Sequence, residues 1–250
     1  MYWNNKFGKY RAMRNDKELA KYLPPTAPAT KKDVRGMVQQ YRTVYLKPSL
    51  GTGGYGIYRM SHTPEGYRLQ SGTQSRTFKT LDAAYAAFEK GKGRRFYLVQ
   101  KGIPLLQYHG RPFDLRVMVQ RNPQNKWEVT GIVGRVAQPN KVVTNYHNGG
   151  QPKPIEELLA PLMSKAEISS YIDRLNRLGI RVSSHLSGIF PSFRAYGVDI
   201  GMDKDHKPWI IEVNSRPDKY IFNALKDKRM FRKMIQYARI VPPKKQTIKK

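Results

Sequence analysis

The 250-residue sequence has no cysteine, which removes disulfides, thiolate chemistry and cysteine-based zinc sites and fits a reducing, cytoplasmic setting. It has no run approaching the roughly 18 apolar residues that a membrane helix needs. Its opening, MYWNNKFGKYRAMRNDK, lacks the apolar core of a secretory signal. The five histidines form no H-x₃-H pair that would suit a metal. Acidic residues are scarce too: 18 Asp and Glu face 46 Lys and Arg, a formal charge of +28. Such a balance attracts nucleotides, nucleic acid, anionic polymers or acidic proteins, without choosing among them. Hydrophobic residues at 39% and aromatics at 11% are nevertheless those of a globular chain, so the charge decorates a fold rather than preventing one.

Along the chain, residues 1–35 are basic and carry the cluster Leu23-Pro24-Pro25-Thr26-Ala27-Pro28, predicting a short helical segment and then an extended connector. Residues 36–98 read as a small α+β lobe. It has β-rich runs at Arg42 to Lys47, Tyr55 to Met60 and Gly66 to Gln70, and a helix over Thr80 to Lys90 on the spacing of Leu81, Ala84, Tyr85 and Phe88. Residues 99–240 read as a larger lobe, preceded by the apolar strand Phe96 to Gln100. Phe113 to Gln120 pairs with Trp127 to Val136 across a turn, and Ser164 with Glu167 forms a capping box for a long helix with Gly179 in its interior. Residues 241–250 are predicted to be a disordered basic tail.

Chemistry concentrates in GVDIGMDKDHKPWIIEVNSRP, residues 197–217. The polar Asp203 to Lys207 reads as a hairpin loop that returns Val198-Asp199-Ile200 beside Ile211-Glu212-Val213. Glu212 and Asn214, two apart, leave the same face of their strand. Asp199, Glu212 and Asn214 thus converge as hard oxygen donors, a set suited to Mg²⁺. Trp209, Ile210, Ile211 and Val213 are apolar on both faces, which predicts a central strand where a carboxylate needs a partner. A second motif is the glycine-rich loop after Lys47. It is not a Walker A loop, but glycines at 51, 53, 54 and 56 let backbone N–H groups point into one concavity, and Lys47 adds a compact charge. A flexible hairpin tip has the same composition.

Four stretches, Tyr45 to Ile57, Phe113-Asp114-Leu115-Arg116-Val117, Arg135 to Gly150 with Thr144-Asn145 and Gly149-Gly150, and GVDIGMD through IIEVNSRP, occur in the order found in the ATP-grasp superfamily. The chain resembles most closely its YheC/YheD-like, endospore coat-associated branch. The resemblance implies an α+β, ATP-grasp fold, two α+β lobes with ATP between them, here without a separate N-terminal domain ahead of them. It implies that Lys47 contacts the phosphates and that Gly51, Gly53, Gly54 and Gly56 close over them. Adenine would rest on Gln100, Lys101, Gly102 and Ile103, although many members carry acids at this hinge. Lys6 is the candidate for a further, upstream phosphate lysine. Arg116 and Arg135 become the cationic partners of the γ-phosphate and of an acyl phosphate, with Asp114 orienting Arg116. Asn145 faces the phosphates and acceptor, and Arg216 grips an anionic group of the substrate.

The function so implied is ATP- and Mg-dependent carboxylate–amine ligation through an acyl phosphate, in the cytoplasm or at the spore coat of a spore-forming bacterium. Arginines placed on a transferred phosphoryl group contribute on the order of 10³–10⁵ in rate in other enzymes. Two alternatives use the same residues differently: a kinase that passes phosphate to a hydroxyl, and a non-catalytic basic scaffold that binds acidic polymer, coat protein or nucleic acid. Tyr2, Trp3, Phe7 and Tyr10 interleave with Lys6, Lys9 and Arg11 in a way compatible with stacking on bases, yet no known nucleic-acid module is present.

Overall fold

The computed structural model describes residues 2–51, 53–139 and 150–240; Thr144, Asn145, Gly149 and the basic tail lie outside them. The chain opens with helices α1 (Lys6–Arg14) and α2 (Lys17–Ala20), capped by Asn5 and Asp16 side chains that accept from first-turn backbone N–H groups. Then follow β1 (Thr26–Pro28), α3 (Lys31–Tyr41), β2 (Thr43–Pro48), β3 (Tyr58–Thr63), β4 (Gly66–Ser71), β5 (Gln74–Phe78), α4 (Leu81–Lys92) and β6 (Tyr97–Lys101). The six strands form one antiparallel sheet in the order β1-β6-β2-β3-β4-β5. Period-2 alternation sends Val44, Leu46 and Met60 to one face, where Val34 and Val38 of α3 and Ala84 and Phe88 of α4 close a core. Each buried Val, Leu, Met or Phe among these is worth about 1.5–3 kcal/mol.

The second half continues with β7 (Gln107–Tyr108), β8 (Arg111–Arg121), β9 (Trp127–Val136), β10 (Gln151–Lys153), α5 (Ile155–Leu159), α6 (Lys165–Ile189), β11 (Ala195–Met202), β12 (Pro208–Asn214), a 3-10 turn (Tyr220–Ala224) and α7 (Arg229–Ala238). The main sheet runs β10-β9-β8-β11-β12. The capping box of Ser164 and Glu167 starts α6, which runs 25 residues straight through Gly179. There a Cβ would lie 2.9 Å from Val117 Cγ1, so the glycine keeps helix and sheet in close contact. Leu115, Val117 and Val119 on one face of β8 pack against Leu175, Leu178 and Val182 of α6.

Two arrangements differ from the sequence reading. Residues 6–23 are no separate segment: Ala12, Met13, Leu19 and Leu23 sit in the core of the larger lobe with α6, while Thr26–Pro28 joins the smaller lobe's sheet as β1. The chain therefore starts in one lobe and crosses to the other before the connector ends. β12 is an edge strand rather than a central one. Its outer edge is closed by the N-terminal segment, with Ile210 N–H donating to the Tyr22 carbonyl (2.8 Å) and Lys9 Nζ donating to the Val213 carbonyl (2.7 Å). Apolar residues on both faces report burial, and a helix and a loop have buried this strand as effectively as a further strand would. No helix among the described residues is long and apolar enough to cross a membrane.

Candidate active site

The hairpin expected between Asp199 and Glu212 is present: β11 and β12 pair antiparallel, with Asp199 opposite Glu212 and Gly197 opposite Asn214, and a bulge beyond Asp199 absorbs Ile211. β8 flanks β11 on the other side, placing Arg116 opposite Asp199, and β9 places Arg135 opposite Asp114. Cross-strand partners share a face, so all these groups emerge on the side of the sheet away from α6.

Four of them form a buried network. Arg135 donates from Nε and Nη2 to both oxygens of Asp114 (2.8 and 2.5 Å) and from Nη2 to Asp199 Oδ2 (3.1 Å). Arg116 forks onto Asp199, with Nη2 3.1 Å from Oδ2 and Nε on Oδ1. Asn214 Nδ2 approaches the same carboxylate at 3.4 Å. Asp114 thus orients Arg135, not Arg116, whose partner is Asp199; alternation within β8 would allow the Asp114–Arg116 pair, but cross-strand register brings nearer partners to both. Gly197 makes room for this, since a Cβ there would lie 3.1 Å from Arg116 Cδ and 2.7 Å from Pro217 Cβ. All four ionised side chains are at most 6% exposed. Burial pushes the Asp199 carboxyl up, but Arg116 and Arg135 outweigh it and hold Asp199 below its usual range. Burial likewise pulls the Arg135 guanidinium down, and the two aspartates more than reverse it.

Beside this network, β12 and α1 meet the helix-free side of the smaller sheet across a narrow crevice. The crevice is lined by Lys6, Lys9, Lys47, Gln100, Glu212 and Val213, among others. Lys47 Nζ donates to Gln100 Oε1 (2.5 Å), and Gln100 Nε2 donates to Thr26 Oγ1 (3.1 Å). Burial pulls the Lys47 pKa down to about 8 against the opposing pull of Glu212. Lys6 Nζ donates to the Gly51 carbonyl (2.6 Å) and lies 3.5 Å from Glu212, tying the glycine loop to β12. Gly51, Gly53, Gly54 and Gly56 all have positive φ, the conformation that glycine alone adopts without strain, and the Tyr97 hydroxyl anchors the loop's far end at the Gly56 carbonyl (2.7 Å).

At the strand end, Lys101 N–H donates to the Pro25 carbonyl and Gly102 N–H to the Thr43 carbonyl, both at 2.9 Å. The Lys101 ammonium lies over the rings of Tyr41 and Trp209. Both amides are thus spent within the protein, so an adenine ring that needs a backbone donor has Ile103 as the next N–H along. Arg216 is exposed, beside Ser215, whose hydroxyl donates to Asn4 Oδ1 (3.2 Å).

One crevice residue and one beside the crevice lysine were missed. Lys9, 8% exposed, is brought down to about pH 8 by burial, against Glu212; its signal was the i, i+3 spacing from Lys6 on α1. Tyr45 alternates with Lys47 on β2 and its ring lies 5.8 Å from the ammonium.

With the site assembled, comparison with known proteins decides the family. The YheC/D like ATP-grasp family model matches residues 1–241. The chain belongs to that family. It is 29% identical over 229 residues to the endospore coat-associated protein YheD of Bacillus subtilis (strain 168), covering 88% of this chain and 49% of the relative. To YheC of the same organism it is 20% identical over 201 residues, covering 78% and 55% respectively. The chain thus spans about half the length of these curated relatives. The crystal structure of a biotin carboxylase–β,γ-ATP complex from Campylobacter jejuni superposes with a TM-score of 0.58 at 15% identity, over 94% of this chain and 46% of that one, which establishes the ATP-grasp fold.

The residues present fit a nucleotide and a divalent cation. Ser49 Oγ, two residues past Lys47, is buried with no hydrogen-bond partner among the described residues, and lysines crowd around Glu212 from both lobes. For a cation, Asp199, Glu212 and Asn214 offer hard oxygen donors, but both Asp199 oxygens already accept from Arg116, Arg135 and the Asn214 amide, so a cation would share that carboxylate with the arginines; among the described residues no three His, Cys, Asp or Glu gather into a metal site, so Asn214 is needed as the third donor. Lys47 and Lys9 titrate where binding can be measured. A lysine is cationic below its pKa, so their attraction for phosphate is present below about pH 8 and fades above it. ATP affinity measured by calorimetry is expected to fall between pH 7.5 and 9, and Lys47→Met to flatten that profile; an affinity that rises with pH would contradict it.

Proposed function

We propose that this chain is an ATP- and Mg-dependent carboxylate–amine ligase that works through an acyl phosphate. One observation carries the reading: cations of both lobes, Lys47 on one sheet and Lys6 and Lys9 on α1, line one crevice beside a glycine loop, next to the buried network of Arg116 and Arg135. Burying them is costly, and a binding surface has no use for the expense. Lys47, Lys6 and Lys9 hold the triphosphate under the loop, with Tyr45 and Gln100 on the base side. Bound on Asp199, Glu212 and Asn214, Mg²⁺ would offset charge on the β- and γ-phosphate oxygens. Arg116 and Arg135 stabilise charge on the transferred group. A substrate carboxylate oxygen attacks the γ-phosphorus and the bond to the β-phosphate oxygen breaks, releasing ADP. An amine nitrogen then attacks the acyl carbon, inorganic phosphate leaves, and the amine gives up a proton. The exposed Arg216 is assigned to the incoming anionic group, and Asn145 to the acceptor side.

The relatives' names make spore-coat or envelope carboxylates the first substrates to try. The test is ADP and phosphate release with a panel of amino acids and short peptides as donor and acceptor. Amine-dependent phosphate release with formation of an amide product is expected. Tight MgATP binding with no turnover across the panel would favour the scaffold, and phosphate retained on a hydroxyl would favour the kinase.

A further inference from the structure

The helix-free face of the smaller sheet does not stop at the crevice. From Lys47 and Tyr45 on β2 it continues through Arg59, which lies opposite Tyr45 and Gln70, and through Arg68, which lies opposite Ser61 and Thr77. Arg59, Arg68, Ser75 and Thr77 are exposed, and strands β2 to β5 contain no aspartate or glutamate at all. Neither arginine makes a hydrogen bond or close ion pair with any described residue, whereas Arg116, Arg135 and Arg229 elsewhere all do; the acid whose charge Arg68 does feel is Glu65, in the turn between β3 and β4. Arginines without a close counter-ion, on strands that carry no acid and that lead to the lysine-lined crevice, make a track for negative charge.

We propose that this face binds an extended acidic peptide and delivers its reacting carboxylate to the crevice. The proposal rests on the ligase reading for its chemistry but not for its geometry. Diagonal neighbours on adjacent strands are roughly 7–8 Å apart, close to the roughly 6.6–6.8 Å between alternate residues of an extended chain, so Arg59 and Arg68 match carboxylates at alternate positions. The neighbouring hydroxyls of Ser75 and Thr77 supply uncharged donors. No aromatic ring is exposed among them, which disfavours a single-stranded nucleic acid, whose bases need stacking platforms.

The probe is fluorescently labelled hexaglutamate, with anisotropy measured at about 150 mM salt so that long-range attraction is screened. Arg59→Glu/Arg68→Glu is expected to weaken binding at least about 10-fold, with Arg59→Gln/Arg68→Gln in between. Arg232→Glu/Arg239→Glu, at exposed positions in α7 and at its C-cap, which changes net charge equally, should cost under about 3-fold. Equal loss in both charge reversals, no binding by the wild type, or oligothymidylate binding with the same dependence on Arg59 and Arg68 overturns the proposal. Calorimetry with MgATP separates the two readings. Nucleotide binding that survives Arg59→Glu/Arg68→Glu while hexaglutamate is lost supports both. If the wild type ignores MgATP but holds hexaglutamate through these arginines, the ligase reading fails and the peptide surface stands.

Discussion

Glu212→Gln is expected to abolish most of the Mg²⁺ dependence of ATP binding while tightening the binding of metal-free ATP. The side chain is 18% exposed, 3.5 Å from Lys6, and its charge acts on Lys9 and Lys47. As a metal ligand it should matter at least as much as the outer-shell groups whose loss costs about 10–100-fold in metal affinity. As counter-ion to three lysines it does the opposite, because removing its charge leaves their field uncompensated for a phosphate. Calorimetry with and without Mg²⁺ reads both effects on one variant. If MgATP and free ATP both bind more tightly, Glu212 is only the lysines' counter-ion and the metal assignment fails. Thermal melting of the same variant separates a loss of metal from a loss of fold, since Glu212 also offsets the charge of the buried Lys9 and Lys47.

Asp199→Ala is expected to act mainly on stability, by about 3–5 kcal/mol, because it leaves two buried guanidinium groups short of their anion. In a chain of this size that lowers the melting temperature on the order of 10 °C. Urea unfolding measures it directly. Asp199→Ala/Arg116→Met should recover part of the loss, since it removes the stranded charge as well as its partner, and that non-additivity is the sign of a coupled network. A loss under about 1 kcal/mol would mean that the arginines find water when Asp199 is gone, and that Asp199 is not their organiser. The pH dependence has a definite sign. Asp199 is held below its ordinary range, so its contribution is present above that range and is lost only as pH falls through the lowered folded value.

Much of the site was legible because strand periodicity is short-range. Asp199, Glu212 and Asn214 were placed on one face from spacing and a polar loop, and β11 and β12 pair as that required. α6 was legible from its capping box and repeat. β5 was not, because Gln74-Ser75-Arg76-Thr77-Phe78 is nearly all exposed and shows no apolar alternation to read. The pairing of Asp114 with Arg135 was not legible either, for D-x-R within one strand is visible in the sequence and the register between strands is not.

The residues themselves determined the absence of thiol chemistry, the excess of 28 positive charges, the glycine loop behind a lysine and the oxygen donors of the last hairpin. Tertiary structure decided which charges meet: that α1 brings Lys6 and Lys9 to Glu212, that Asp199 serves two arginines, and that a basic strand face leads to the crevice. Composition and periodicity act over a few residues, whereas a charge finds its partner through packing between segments as many as 204 positions apart, where only the folded chain sets the distance.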